Sequence, residues 1–359
     1  LGQSSFQTFV RVVLPQIGSI LAAGSLLVFL YTISDFGAVQ LMRYDTLTRS
    51  IYTNRLINQP TALALSLLLL LLAAVIVLSE RFFSRLTFTS EETSSGKPVI
   101  YPLKKWSIPA LVSVLVTLVL SIGAPMLALG DWAADGISRT TRGGSPLTID
   151  RGQVLESTWN TLTISVIAGV VAVLAVLPIA FLVSRYRSRS GTFAHAVVIA
   201  TFAVPGLLIA LAMRFWVLRT DWAFELLDNT KALLVFSYIV RFGSLAMGIV
   251  LVAVAAVPKK LHDVGQTLGT KRTPRFFRID LPLMAPGMGA AAGLVILSTM
   301  KELPITLLIA PLGFSTLATR IFSSFEDAFV AEAGIMALIL VLLSFVLTWF
   351  LVIRKADHL

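Results

Sequence analysis

Four ionisable residues stand where so apolar a chain would not place them without reason. Asp35 closes a long apolar run, Lys301 and Glu302 lie near the far end of another, just before Pro304, and Arg241 lies well inside the run 232–256. Charges in hydrocarbon are costly, so by default they suggest an ion path, a counter-ion pair or a ligand contact. Carboxylates supply the oxygen ligands that hard cations prefer. Asp35 and Glu302 therefore suit the lining of a cation path, with Lys301 as the cation that pairs with Glu302 when the path is shut. Arg241 is expected either to meet an acid on another helix or to face the channel. The blander alternative is a lysine reaching toward water and an acid fixing a helix end. Arg214, near the end of its run, suits that reading. Much other chemistry is excluded. The chain has no cysteine, its three histidines (His195, His262, His358) are widely spaced, and no GxxxxGK[ST] loop is present. Neither a metal centre, a cofactor nor ATP hydrolysis by this chain is expected.

Hydrophobic residues form 56% of the 359, and charged residues only 13%. A soluble protein averages about a quarter charged, so the composition implies an integral membrane protein. Runs of the length needed to span a bilayer, about 20 residues, lie near 16–35, 61–79, 108–129, 158–183, 193–217, 232–256, 283–309 and 330–353. They are too long and too uniformly apolar for barrel strands, and several are broken at Pro125, Pro178, Pro205 or Pro304, as membrane helices tolerate. The predicted fold class is all-α, a polytopic transmembrane helical bundle. With residues 1–15 on the cytoplasmic side, the loops on that side hold 17 Lys and Arg against 9 on the other, which obeys the positive-inside rule. The net charge of +10 thus reflects loop placement and membrane lipid rather than nucleic acid. Five of the tryptophans fall near span ends, as an interfacial belt does.

The elements that hold these residues occur twice. "LGQSSFQTFVRVVLP" (1–15) and "LGTKRTPRFFRIDLP" (268–282) agree in Leu-Gly, in the Phe and the Arg, and in the closing Leu-Pro. The register continues to Thr32 and Thr299, and places Asp35 opposite Glu302. Further on, "TLTRSIY" (46–52) echoes "TLATRIF" (316–322). Apolar bias readily repeats Leu or Val, but it does not readily place Gly, Arg and Leu-Pro in one register. Each copy is a short basic amphipathic segment turned into a span at its proline. In the second, Gly265 and Gly269 leave a face bare of side chains, open to close approach by a partner. One such segment alone would suit an interfacial helix on anionic lipid. Two in symmetry-related loops suit a two-lobed partner better.

The pattern of Gly, nine residues, Ile or Val, any residue and Leu-Pro fits Gly2–Val12–Leu14–Pro15 and Gly269–Ile279–Leu281–Pro282. It resembles the "EAA" loop of binding-protein-dependent ABC importer permeases of type I. The family's Glu-Ala-Ala would fall on Asp263, Val264 and Gly265, where only the acidic position is kept in kind. The stretches 34–52 and 300–322 resemble more narrowly the ferric-iron permeases in which two halves share one polypeptide. That resemblance implies that Gly2, Arg11, Leu14, Pro15, Asp263, Gly265, Gly269, Arg275, Arg278, Leu281 and Pro282 couple to an ATPase. It implies two copies of a cytoplasmic ABC ATPase, an extracytoplasmic substrate-binding protein, and the bacterial inner membrane, with coupling loops and C-terminus cytoplasmic. Residues 1–79 would be the tail of a first half, 80–107 a cytoplasmic linker and 108–359 a second half with six spans. Four or so spans are then expected upstream, and without them the chain is not expected to transport. Rival readings are a permease of the same fold for thiamine, a polyamine or an oxyanion, and an ion-driven secondary transporter, which would not need the paired loops.

Overall fold

The computed structural model describes residues 4–85, 104–138, 151–258, 261 and 271–350. Among these, every regular element is helical. Six helices are long and apolar enough to cross a membrane. They are α3 (Gln59–Arg85), α4 (Lys104–Asp135), α5 (Arg151–Ser184), α8 (Lys231–Ala256), the helix containing α9 (Leu281–Met300), and α12 (Val330–Thr348). The expected span at 16–35 is α1, Leu14–Ser34.

The expected span at 193–217 is not one straight helix. It is a pair, α6 (Arg189–Ala200, continued by a single turn to Ala203) and α7 (Gly206–Arg219), bent by 113°. The cause is local. A proline disfavours helical geometry in the residue before it, and Val204 is accordingly extended (φ −81°, ψ 122°) ahead of Pro205. The run 283–309 is likewise interrupted. α9 stops at Met300, and a separate short helix, α10 (Pro304–Ile309), starts at the next proline.

The chain divides into two compact units, 1–35 with 46–132, and 36–45 with 133–359. Most of the expected linker, 86–103, lies outside the described residues. In the first unit α1 packs on α3 through Leu30, Ala73 and Ile76, and α2 (Leu47–Ile57) packs on α3 as well. Thr46 caps α2 by accepting from the Arg49 N–H at 3.3 Å. Along α4, Leu111, Val112, Leu115 and Leu120 are exposed, as side chains facing lipid would be.

The second unit is built on α5, α8 and α9, which share one core including Ala168, Ala172, Tyr238, Met247, Ala291 and Val295. Small residues let these helices approach closely. A Cβ on Gly169 would lie 2.6 Å from Ile296 and 2.9 Å from the Ala292 carbonyl. α11 (Leu317–Glu326) begins at Thr316, whose hydroxyl accepts from the Thr319 N–H in a reciprocal capping box. The Leu317 N–H donates to Thr161 of α5 at 2.8 Å. Residues 36–45 belong to this unit too: Phe36 is buried against Phe322, and Gln40 donates to Glu326 at 3.0 Å.

Candidate functional site

The break between α9 and α10 positions Glu302. Lys301 ends the helix with φ −98° and ψ −1°, and the Glu302 N–H returns to the Thr299 carbonyl at 3.0 Å. Pro304 then restarts the chain as α10, at a position where its missing N–H is not needed. This geometry turns Glu302 inward, to 6% exposure.

Its two oxygens have different partners. Oε1 accepts from the Ile305 N–H at 3.3 Å, in the first turn of α10. Oε2 lies 3.3 Å from Nε of Arg241, in the middle of α8. The pair joins the break between α9 and α10 to a continuous helix. The sequence reading paired Glu302 with Lys301, but the Lys301 side chain is exposed and the ion pair goes to Arg241. Neighbours in sequence at a helix end point in different directions, so adjacency was a poor guide to pairing.

Three further residues, none singled out from the sequence, complete the cluster. Tyr238, one turn before Arg241 on α8, is fully buried, and its hydroxyl lies 2.6 Å from that of Thr306. Thr306 donates to the Glu302 carbonyl at 2.7 Å. Gly206, the first residue of α7 after the bend, presses on the ion pair. A Cβ there would meet the Arg241 guanidinium and come within 2.8 Å of Glu302 Oε1. The bend, the break and the middle of α8 therefore converge on one buried charge pair. Val-Pro-Gly at 204–206 was the readable signal for the bend. The spacing of Tyr238 and Arg241 on one helix face was the signal for the polar line. Arg214, expected to reach toward water, is 41% exposed and is ion-paired with Asp228.

The remaining expected residues divide by position. Asp35, in the first unit, is exposed at the end of α1; its N–H returns to Thr32 at 3.3 Å and its carbonyl accepts from Thr48 at 2.7 Å. Arg11, Leu14 and Pro15 are exposed at the start of α1. At the start of α9, Arg278 and Pro282 are exposed, Leu281 is half-buried, and Arg275 is buried at 5%. Arg275 thus does not present its guanidinium at the surface as a docking contact would. Gly2, Asp263, Gly265 and Gly269 lie outside the described residues. No group of three or more His, Cys, Asp or Glu able to hold a metal occurs among the described residues.

Many long apolar helices, with one span sharply broken, define a polytopic helical membrane protein. Residues 176–354 match the family described as binding-protein-dependent transport system inner membrane components, and the chain belongs to that family. It is 29% identical to the Fe(3+)-transport system permease protein FbpB 2 of Haemophilus influenzae, over 96% of this chain and 67% of that protein. A protein of Salmonella typhimurium named for 2-aminoethylphosphonate transport is 23% identical over 55% of this chain and 73% of its own. The molybdate/tungstate transport system permease protein WtpB of Pyrococcus abyssi is 22% identical over 45% of this chain and 63% of its own.

Proposed function

We propose that this chain is the permease of an ATP-driven importer whose cargo is ferric iron. The observation that carries the cargo is the extent of the likeness to the Fe(3+)-transport permease, which runs over 96% of the chain. Likeness to the proteins named for phosphonate and molybdate/tungstate transport covers about half of it. A binding protein delivers the ion on the outer side. Two copies of a separate ATPase hydrolyse ATP on the cytoplasmic side and grip the two elbows, Gly2–Pro15 and Asp263–Pro282. Their closure rocks the two halves between outward and inward access.

Within the path we place Glu302, Arg241, Lys301 and Asp35. A carboxylate is a good ligand for a hard trivalent ion. In the conformation described here Arg241 occupies one of its oxygens, so passage requires the ion to compete with the guanidinium. Gly206 and Thr306 hold the pair in place without supplying charge.

The test uses the full-length permease with its ATPase and binding protein in proteoliposomes, and radioactive ferric iron. Glu302→Gln is expected to lower uptake by at least tenfold while the ATPase still co-purifies. Uptake at the parent rate would remove Glu302 from the path, and transport of an oxyanion but not of iron would overturn the cargo.

A further inference from the structure

Three π-turns interrupt the described helices ahead of a proline. They are Phe9–Val13, Val119–Gly123 and Phe276–Asp280. Each is followed by one residue and then proline: Leu14-Pro15, Ala124-Pro125 and Leu281-Pro282. The reason is steric. Inside an α-helix a proline ring collides with the carbonyl four residues back. Widening one turn relieves that collision, and the N–H groups of Leu14, Ala124 and Leu281 reach the carbonyls of Phe9, Val119 and Phe276, five residues back.

Two of the three stand in the repeated elbows, in the same register. Each begins with Phe and carries an exposed arginine, Arg11 or Arg278, as its third residue. They differ in one respect. In the second elbow the π-turn is flanked by Arg275 and ends on Asp280, where the first has Thr8 and Val13. Residues five apart point about 140° from each other on an α-helix, at about 100° per residue. A turn closed from i to i+5 brings them toward one face. The ion pair of Arg275 and Asp280 therefore exists because the turn is widened.

That pair is incomplete. Nε of Arg275 is 4.0 Å from Oδ2 of Asp280, with the two side chains 5% and 15% exposed. Neither Nε nor Nη1 of Arg275 has a hydrogen-bond partner among the described residues. Buried donors are almost always satisfied, and leaving one unmet is costly. A finished structural salt bridge would not leave two.

We propose that Arg275 and Asp280 are positioning residues for coupling, acting in the second elbow only. They stand apart in the conformation described here and close into a hydrogen-bonded pair in the other. In doing so they set the register at which motion of the elbow enters α9, whereas the first elbow follows passively. The proposal rests on the coupling role assigned above to the elbows.

Asp280→Asn and Asp280→Glu decide it in the reconstituted permease, ATPase and binding-protein complex. The readout is ferric iron transported per ATP hydrolysed, with binding-protein stimulation of hydrolysis measured alongside. Asp280→Asn is expected to lower the ratio by about fivefold or more, the scale of a modest coupling energy, and Asp280→Glu to keep most of it. Equal ratios in the two variants overturn the proposal, whether both match the parent, so that the pair does nothing, or both collapse, so that Asp280 only fills space. Failure of the coupling reading looks different: the parent complex itself would show no stimulation of hydrolysis by the binding protein.

Discussion

The two copies of the repeat end their membrane helices alike and load them differently. In both, a threonine one turn before the acid bonds back along the helix, Thr32 to Val28 at 2.9 Å and Thr299 to Val295 at 2.8 Å. In both, the acid's N–H returns to that threonine's carbonyl, and its own carbonyl accepts from a later threonine, Thr48 or Thr306. Yet Asp35 is exposed, while Glu302 is buried against Arg241. The backbone pattern is thus a property of the repeat, and burial of the acid is a property of one copy. Duplication supplies the scaffold, and in the second copy a longer side chain turns inward to Arg241 on α8.

The strongest test of that asymmetry is to neutralise each acid in turn. Glu302→Gln leaves Arg241 without its countercharge in a setting of low dielectric, which costs about 3 kcal/mol. Asp35→Asn changes an exposed residue and is expected to stay within about 0.5 kcal/mol. Unfolding in detergent micelles reads both, and equal losses would show that the copies bear the same load. Next in size is Gly206→Ala. The new methyl strikes the ion pair, and overpacking of this kind costs about 2 kcal/mol. Gly24→Ala, in α1 of the other copy, meets nothing within 4 Å and is expected to gain about 0.5 kcal/mol as a helix-favouring change. The smallest contrast lies in the caps. Thr316→Ala loses a reciprocal capping box, about 1.5 kcal/mol, and Thr46→Ala a one-sided cap, about 1 kcal/mol. Amide exchange at Thr319 and Arg49 should quicken in that order.

Much of this could be read from the residues. The positions of the spans followed from run length, and the repeat from Gly, Arg and Leu-Pro kept in register. The interruption at Pro304 was legible because proline cannot continue a helix. Three features were not. The partner of Glu302 lies on another helix, and a single chain carries no mark of which distant residue will face it. The break at Pro205 was legible, but its 113° angle was not, because apolar residues continue on both sides and hydropathy registers one run where the backbone makes two. The burial of Arg275 was missed because an α-helical wheel places it wrongly once a π-turn intervenes.

The bend at Val204–Gly206 also governs parity. In the proposed orientation the two elbows share a side because an even number of crossings separates them, and α6 with α7 is one of these. Were that pair to dip and return, the tally would become odd and the elbows would fall on opposite faces, out of reach of any common motor. Peptide groups freed at such a corner cannot be left to lipid tails, so this crossing needs the shelter of its neighbours, and the Arg241–Glu302 pair packed under Gly206 is part of that shelter.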